Sequence, residues 1–217
     1  MAKSGTPSRL IDQGGPRSAE TRRRLIEAAI ETLKEVGYVG ASARAIAERA
    51  GANQGLIFYH FGSVTNLLLA ALDSISTERL EHYSAAVAEV SSPTELVDVA
   101  AAVFRQDLDA GYVTVLVEMI AGASSTPGLG PAVAAAIAPW TDFAQQAIGR
   151  LMGDSPLAAA LPAKEVSFAI VALYLGLEML SHLDGDEAPA LALFAHAKVL
   201  AGLFESLGGS LQGKEST

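Results

Sequence analysis

Residues 45–61 read AIAERAGANQGLIFYHF. Two short helices that cross steeply need a small side chain where they touch, and Ala47 supplies it. The turn between them needs a residue that takes positive φ without strain, and Gly51 is that residue. Ile57 anchors the inner face of the second helix, while Ile46 and Ala50 extend the buried side of the first. The spacing predicts helices over Arg44–Ala50 and Gln54–Phe61, split by Gly51-Ala52-Asn53, with Ser42 and Asn53 placed to cap them. That is helix-turn-helix spacing. Its second helix would turn Gln54, Gly55, Phe58 and Tyr59 outward, able to enter a major groove.

Upstream, AETRRRLIEAAIETLKEVG (residues 19–37) sets Leu25, Ile26, Ala29, Ile30 and Leu33 at helical spacing against Glu27, Glu31, Lys34 and Glu35. Ser18 is placed as an N-cap and Gly37 as the stop. Downstream, a long helix is expected over about 64–90, then one from Pro93 to Ala110 and one over Tyr112–Ala123. Further helices are expected at about 131–152, 163–183 and 187–207, punctuated by Gly153, Pro156 and Pro162, by Asp184-Gly185 and by Gly208-Gly209. No alternating strand pattern of useful length appears, so the fold class is all-α. Residues 1–17, with Lys3, Arg9 and Arg17, read as a flexible tail, and residues 208–217 as a flexible C-terminus.

The chain has 217 residues, half of them apolar and 18% charged, which excludes disorder as a whole. With no cysteine it has no disulfide, thiol nucleophile or thiolate metal site. The formal charge of −9 argues against a polyanionic partner until its distribution is read. Residues 1–63 carry nine Lys/Arg and six Asp/Glu, whereas the remainder carries six and eighteen, so a basic unit sits on an acidic body. No export signal appears. The longest uncharged apolar run, Val166 to Leu177, is short of the roughly 20 residues a membrane helix needs and reads as a buried core helix. A cytoplasmic protein without membrane contact is expected.

The run TRRRLIEAAIETLKEVGYVGASARAIAERAGANQGLIFYHFGSVTNLLLAAL (residues 21–72) resembles the DNA-binding domain of the tetracycline-repressor (TetR) family of transcriptional regulators. The match lies in Ile26, Ala28-Ala29, Leu33, Gly37, Ser42, Arg44, Ile46-Ala47, Ala50-Gly51, Gly55, Tyr59-His60-Phe61, Ser63 and Leu67-Leu68. The resemblance implies a three-helix DNA-binding head over residues 18–78, joined by the long fourth helix to a ligand-binding and dimerisation body over 79–207. It implies a homodimeric repressor that docks on a near-palindromic duplex operator and is released by a small-molecule effector. By position it places Ala43 and Arg44 against phosphate or a base edge, Gln54 and Gly55 at the start of the recognition helix, and Phe58, Tyr59 and His60 on phosphates and groove walls. Gly62 and Val64 stand where the family often has Lys, and Phe58 where Tyr is frequent, so fewer phosphate contacts are expected. Arg22, Arg23 and Arg24 are placed to compensate.

In the body, Val166, Ala169, Ile170, Leu173, Leu177 and Leu180 recur at helical spacing, as do Leu191, Phe194, Ala195, Val199 and Phe204. Small residues such as Ala169, Gly176 and Gly202 permit close approach, so helices 163–183 and 187–207 are expected to form a four-helix dimer interface. A pocket for a small apolar effector is expected among residues 64–183. Its candidate lining is Phe104, Leu108, Tyr112, Met119, Trp140, Phe143 and Tyr174, with His82, Glu118, Glu178 and His182 as polar candidates. Glu178 and His182 share a helix face, but two ligands do not make a metal site, and no metal or cofactor is expected. There is no phosphate-binding Gly loop, no HExxH and no G-x-S-x-G. The reading is therefore a non-enzyme, the alternative being a helical enzyme or binding module acting on a small apolar molecule.

Overall fold

A computed structural model describes residues 15–152 and 162–212, without the side chains of residues 152 and 207–212. Lys3, Arg9, Gly153, Pro156 and residues 213–217 lie outside the described residues. Those described form nine helices and no strand. They are α1 (Pro16–Gly40), α2 (Ala43–Arg49), α3 (Gly55–Phe61), α4 (Val64–Ala88), α5 (Pro93–Ala110), α6 (Tyr112–Ala123), α7 (Leu129–Met152), α8 (Ala163–Asp184) and α9 (Ala188–Gln212).

The ends differ from the sequence expectations in three places. Helix α1 starts at Pro16, inside the expected tail, because proline suits the first helical position; Ser18 does not cap it. Gly37 breaks α1 (φ 69°, ψ −178°), but the chain resumes a last turn to Gly40. Gly208-Gly209 do not stop α9, which runs on to Gln212.

One hydrophobic core joins head and body. Leu25 and Leu33 of α1, Ile46 of α2 and Ile57 of α3 meet Leu67, Leu68 and Ile75 of α4. The same cluster continues into Val115 and Met119 of α6 and Leu129 and Val133 of α7. Each such side chain contributes roughly 1.5–3 kcal/mol by burial. Helix α1 packs on α2, α4 and α6, while α7 packs on α8 and α5 on α9.

A second join is polar. The break at Gly37 frees the Tyr38 amide from its helical partner, and this N–H donates to Glu118 Oε2 on α6 at 2.8 Å. The Tyr38 hydroxyl lies 2.9 Å from Thr126 Oγ1. The Tyr38 ring lies so close to Gly122 that a Cβ there would come within 2.5 Å of it. The end of α1 is thus keyed into α6.

A third join is ionic. Arg79 of α4 is paired through Nη2 with Asp107 of α5 and, at 3.2 Å, with Glu178 of α8. Tyr83 donates to Asp107, and Tyr174 donates to it at 3.2 Å. Burial opposes the charge on Arg79, but Glu178 and Asp107 outweigh it and raise its pKa. Burial pushes the Glu178 carboxyl from 4.5 up to about 8, with Arg79 opposing and Asp107 reinforcing the shift. Burial also raises both phenols, so they stay donors.

The run 166–177 does not become a buried core helix. In the single chain α8 exposes Phe168, Ile170, Leu173, Leu180 and Leu183, and α9 exposes Leu193, Val199, Leu200 and Leu203. Both helices are long and apolar enough to cross a membrane by length and composition.

Two outcomes follow for stability. Gly51 holds φ 58°, so Gly51→Val should destabilise the chain by about 1–3 kcal/mol, read as a lower urea midpoint. Between about pH 4.5 and 8 the folded chain keeps a proton on Glu178 that the unfolded chain has released. Stability from this group therefore falls as pH rises through that window and levels off above it. Urea titrations at pH 5 to 8 should show Glu178→Gln lacking this component, its stability relative to the parent rising with pH.

Candidate nucleic-acid interface and cavity

The outer face of α2 and α3 is set by one cap and one turn; Gln54, not Asn53, is the N-cap residue of α3, and no side chain caps it. Ser42 Oγ accepts from the Ala45 amide at 3.2 Å, and Asn53 Oδ1 accepts from the Gly55 amide at 2.8 Å. Ile46, Ala47, Ile57 and Phe61 are buried on the inner side. Arg44, Gln54 and Gly55 are exposed, as are Phe58 at 52% and Tyr59 at 80%; Ala43 and His60 are half-buried. The Tyr59 and His60 rings meet edge to face, 4.9 Å apart. The structure thus brings all seven sequence-selected residues into one short stretch of surface.

The neighbouring arginines are mostly spent within the chain. Arg24 donates to the carbonyls of Ala50 and Gly51, fastening the turn. Arg23 pairs with Glu20 at 2.7 Å and with Glu27. Arg22 lies 4.5 Å over the Phe61 ring, and Arg49 pairs with Glu35. The expected compensation for the absent cations at 62 and 64 is therefore weak for Arg23 and Arg24. Arg44 makes no ion pair with Glu48, and among the described residues no salt bridge holds it.

The body holds a cavity of about 390 Å³ between α4, α5, α6, α7, α8 and α9. Among the described residues Arg79 is the one charged residue in its wall. The other polar groups collect around it. Trp140 Nε1 donates to Ser76 Oγ at 2.8 Å, and the Arg79 guanidinium lies 4.8 Å from the Trp140 ring centroid and 5.8 Å from those of Tyr83 and Tyr112. The rest of the wall is aliphatic and aromatic, including Val97, Val103, Ala144, Ile148 and Phe194.

Of the lining expected from sequence, Tyr112, Trp140, Phe143 and Tyr174 face the cavity. Phe104 and Met119 do not line it. Both are fully buried, Phe104 stacking on Phe194 at 5.3 Å and Met119 lying in the continuous core. Leu108 is also absent from the wall, and Glu178 sits outside it, bonded to Arg79. Glu118 serves the joint with α1, while His82 and His182 are exposed. Arg79, Tyr83, Asp107 and Ser76 were not selected from sequence. A lone arginine in the otherwise apolar inner face of α4 is the one signal that could have marked them.

Residues 25–71 match the family model described as bacterial regulatory proteins, tetR family. An uncharacterized HTH-type transcriptional regulator of Mycobacterium tuberculosis is 35% identical over 108 residues, covering 49% of this chain and 55% of the relative. The transcriptional repressor AcnR of Corynebacterium glutamicum is 35% identical over 85 residues, covering 39% and 41%. The chain spans about half the length of the curated relatives it matches. The solved structure of a TetR-family member from Streptomyces coelicolor superposes with a TM-score of 0.62 at 26% identity, covering 82% of this chain and 98% of that one. Residues 25–71 thus match the helix-turn-helix domain of the tetR family of bacterial regulatory proteins, and the helical body behind it is similar in fold to that of a TetR-family structure.

Proposed function

We propose that the chain is a one-component transcriptional regulator of the cytoplasm, a homodimeric repressor that leaves its operator when a small apolar molecule enters the cavity. The observation that carries this reading is the outer face of α2 and α3, where Arg44, Gln54, Phe58 and Tyr59 stand exposed on two short helices held by the Ser42 cap and the Asn53 turn. Gln54 would read a base edge, Arg44 guanine or phosphate, and the Tyr59 hydroxyl a phosphate. The head spans about residues 18–78 and the body about 79–207.

Dimerisation is supported by two apolar stripes. On α8, Ala169, Ala172, Leu173, Leu180 and Leu183 recur at helical spacing and are exposed. On α9, Leu193, His196, Val199, Leu200 and Leu203 do the same. A Cβ built on Gly176 would meet open space, leaving room for a close-packed partner helix. Exposed apolar stripes of this kind mark interaction surfaces, and on two neighbouring helices they suit a second copy of the chain. Leu173 and Leu193 are exposed and also line the cavity, so the same face borders the proposed ligand.

Two rods link cavity and head. Helix α4 packs under the head at Leu67 and Leu68 and faces the cavity at Ser76, Arg79 and Tyr83. Helix α6 faces the cavity at Tyr112 and Leu116 and holds the end of α1 through Glu118. A ligand that shifts either rod changes the spacing of the two heads, so ligand and operator weaken each other reciprocally. For the alternative, a helical enzyme, no group of three or more His, Asp or Glu placed to hold a metal ion is found among the described residues.

Gel shifts on DNA from the upstream region should show Tyr59→Ala and Gln54→Ala each weakening binding by roughly tenfold, with unchanged thermal melts. Arg44→Ala should weaken it too and lower the salt slope by about one. Light scattering should find the parent dimeric and a Leu180→Glu, Leu200→Glu double variant monomeric and still helical.

A further inference from the structure

The cavity has two chemically different ends, and this inference about its occupant rests on the effector reading above. Every polar group in its wall gathers around Arg79: Ser76, Tyr83, Tyr112, Trp140 and Tyr174. Away from that cluster the wall is hydrocarbon. A uniformly apolar ligand would add no acceptor to the guanidinium, which Asp107 and Glu178 engage through Nη2 alone, and a cationic one would meet Arg79 before it met any carboxylate, because neither Asp107 nor Glu178 lines the cavity.

The guanidinium has unspent donors. Both ion pairs run through Nη2, out of five N–H groups in a planar fork. Nε is buried and has no hydrogen-bond partner, as is Glu178 Oε2. Buried polar atoms are ordinarily satisfied, so the orphaned donor and acceptor show that the hydrogen bonding of this cluster is incomplete, while the Arg79 side chain still reaches the cavity wall. Burial pushes the Glu178 carboxyl toward its neutral form, which weakens its hold on Arg79 and favours a further acceptor there.

We propose that the cavity takes an aliphatic chain ending in a carboxylate, with the carboxylate bonded to Arg79 beside Trp140 and the chain running into the hydrocarbon end. A carboxylate matches the guanidinium fork in geometry and charge.

Trp140 is the only tryptophan in the chain, so its fluorescence reports on the polar end alone. The test uses the full-length dimer with dodecanoic acid, 2-bromododecanoic acid, 12-bromododecanoic acid and dodecyltrimethylammonium, each below its micelle concentration. Bromine quenches on contact, so the 2-bromo acid should quench Trp140 strongly and the 12-bromo acid weakly at equal occupancy. Dodecanoic acid should displace the 2-bromo acid at a concentration roughly tenfold or more below that of dodecyltrimethylammonium. Arg79→Lys, which keeps the charge and loses the fork, should erode that preference. Stronger quenching by the 12-bromo acid, or equal quenching by the two, overturns the orientation. Tighter binding of the ammonium overturns the head chemistry while leaving the effector cavity standing. If no chain of either charge perturbs Trp140, this inference and the effector reading fall together, whereas the operator gel shifts still stand or fall on their own.

Discussion

A single buried guanidinium fixes how the body is assembled. Arg79 lies inside a largely apolar bundle and keeps its charge only because Asp107 and Glu178 arrive from two other helices. Removing an ion from water costs several kcal/mol, and a buried pair recovers that only with good geometry and further hydrogen bonds. Here Tyr83 and Tyr174 supply such bonds to Asp107. The cluster is therefore better understood as fixing position than as adding stability. It admits one arrangement of α4, α5 and α8, and that arrangement leaves the cavity beside it.

The constraint matters because α4 belongs to both halves of the molecule. Its first turns share the core of the head, while Ser76, Arg79 and Tyr83 form part of the cavity wall. The contact between α1 and α6 gives a second connection that does not pass through α4. Glu118 accepts the amide that the break at Gly37 leaves free, and the Tyr38 ring fills the space that glycine leaves at 122. A change around Arg79 or along α6 thus meets packed, hydrogen-bonded elements rather than a flexible tether. That is the physical basis of the proposed coupling between ligand and DNA.

The head was legible in the sequence because its determinants are local. Ser42, Gly51, Asn53 and Ile57 act within a few residues of their partners, so spacing alone predicts both helices and the face they expose. The helix boundaries of the body were legible for the same reason, through Pro93, Gly111 and Gly185. The cavity was only partly legible. Tyr112, Trp140, Phe143 and Tyr174 stand out as large, largely apolar side chains, but Phe104 and Met119 do too, and they pack into the core instead. The Arg79 cluster was not legible, since its members lie 28 and 99 residues apart in the chain and meet only after folding. The run 166–177 reads as a buried core helix but is partly exposed in the single chain: an uncharged run looks the same whether its cover is the same chain or a second copy.

The central claim is that an occupant of the cavity alters the distance between two DNA-reading heads. The chain has no cysteine, so Val39→Cys, at a site 98% exposed in the head, gives one nitroxide per subunit. Pulsed electron–electron distance measurements between the two labels test the claim directly. The account predicts one narrow distance with operator bound, matching heads about 34 Å apart, and a displaced distance once dodecanoic acid fills the cavity. An identical distance in both states, with DNA and acid each demonstrably bound, would contradict it.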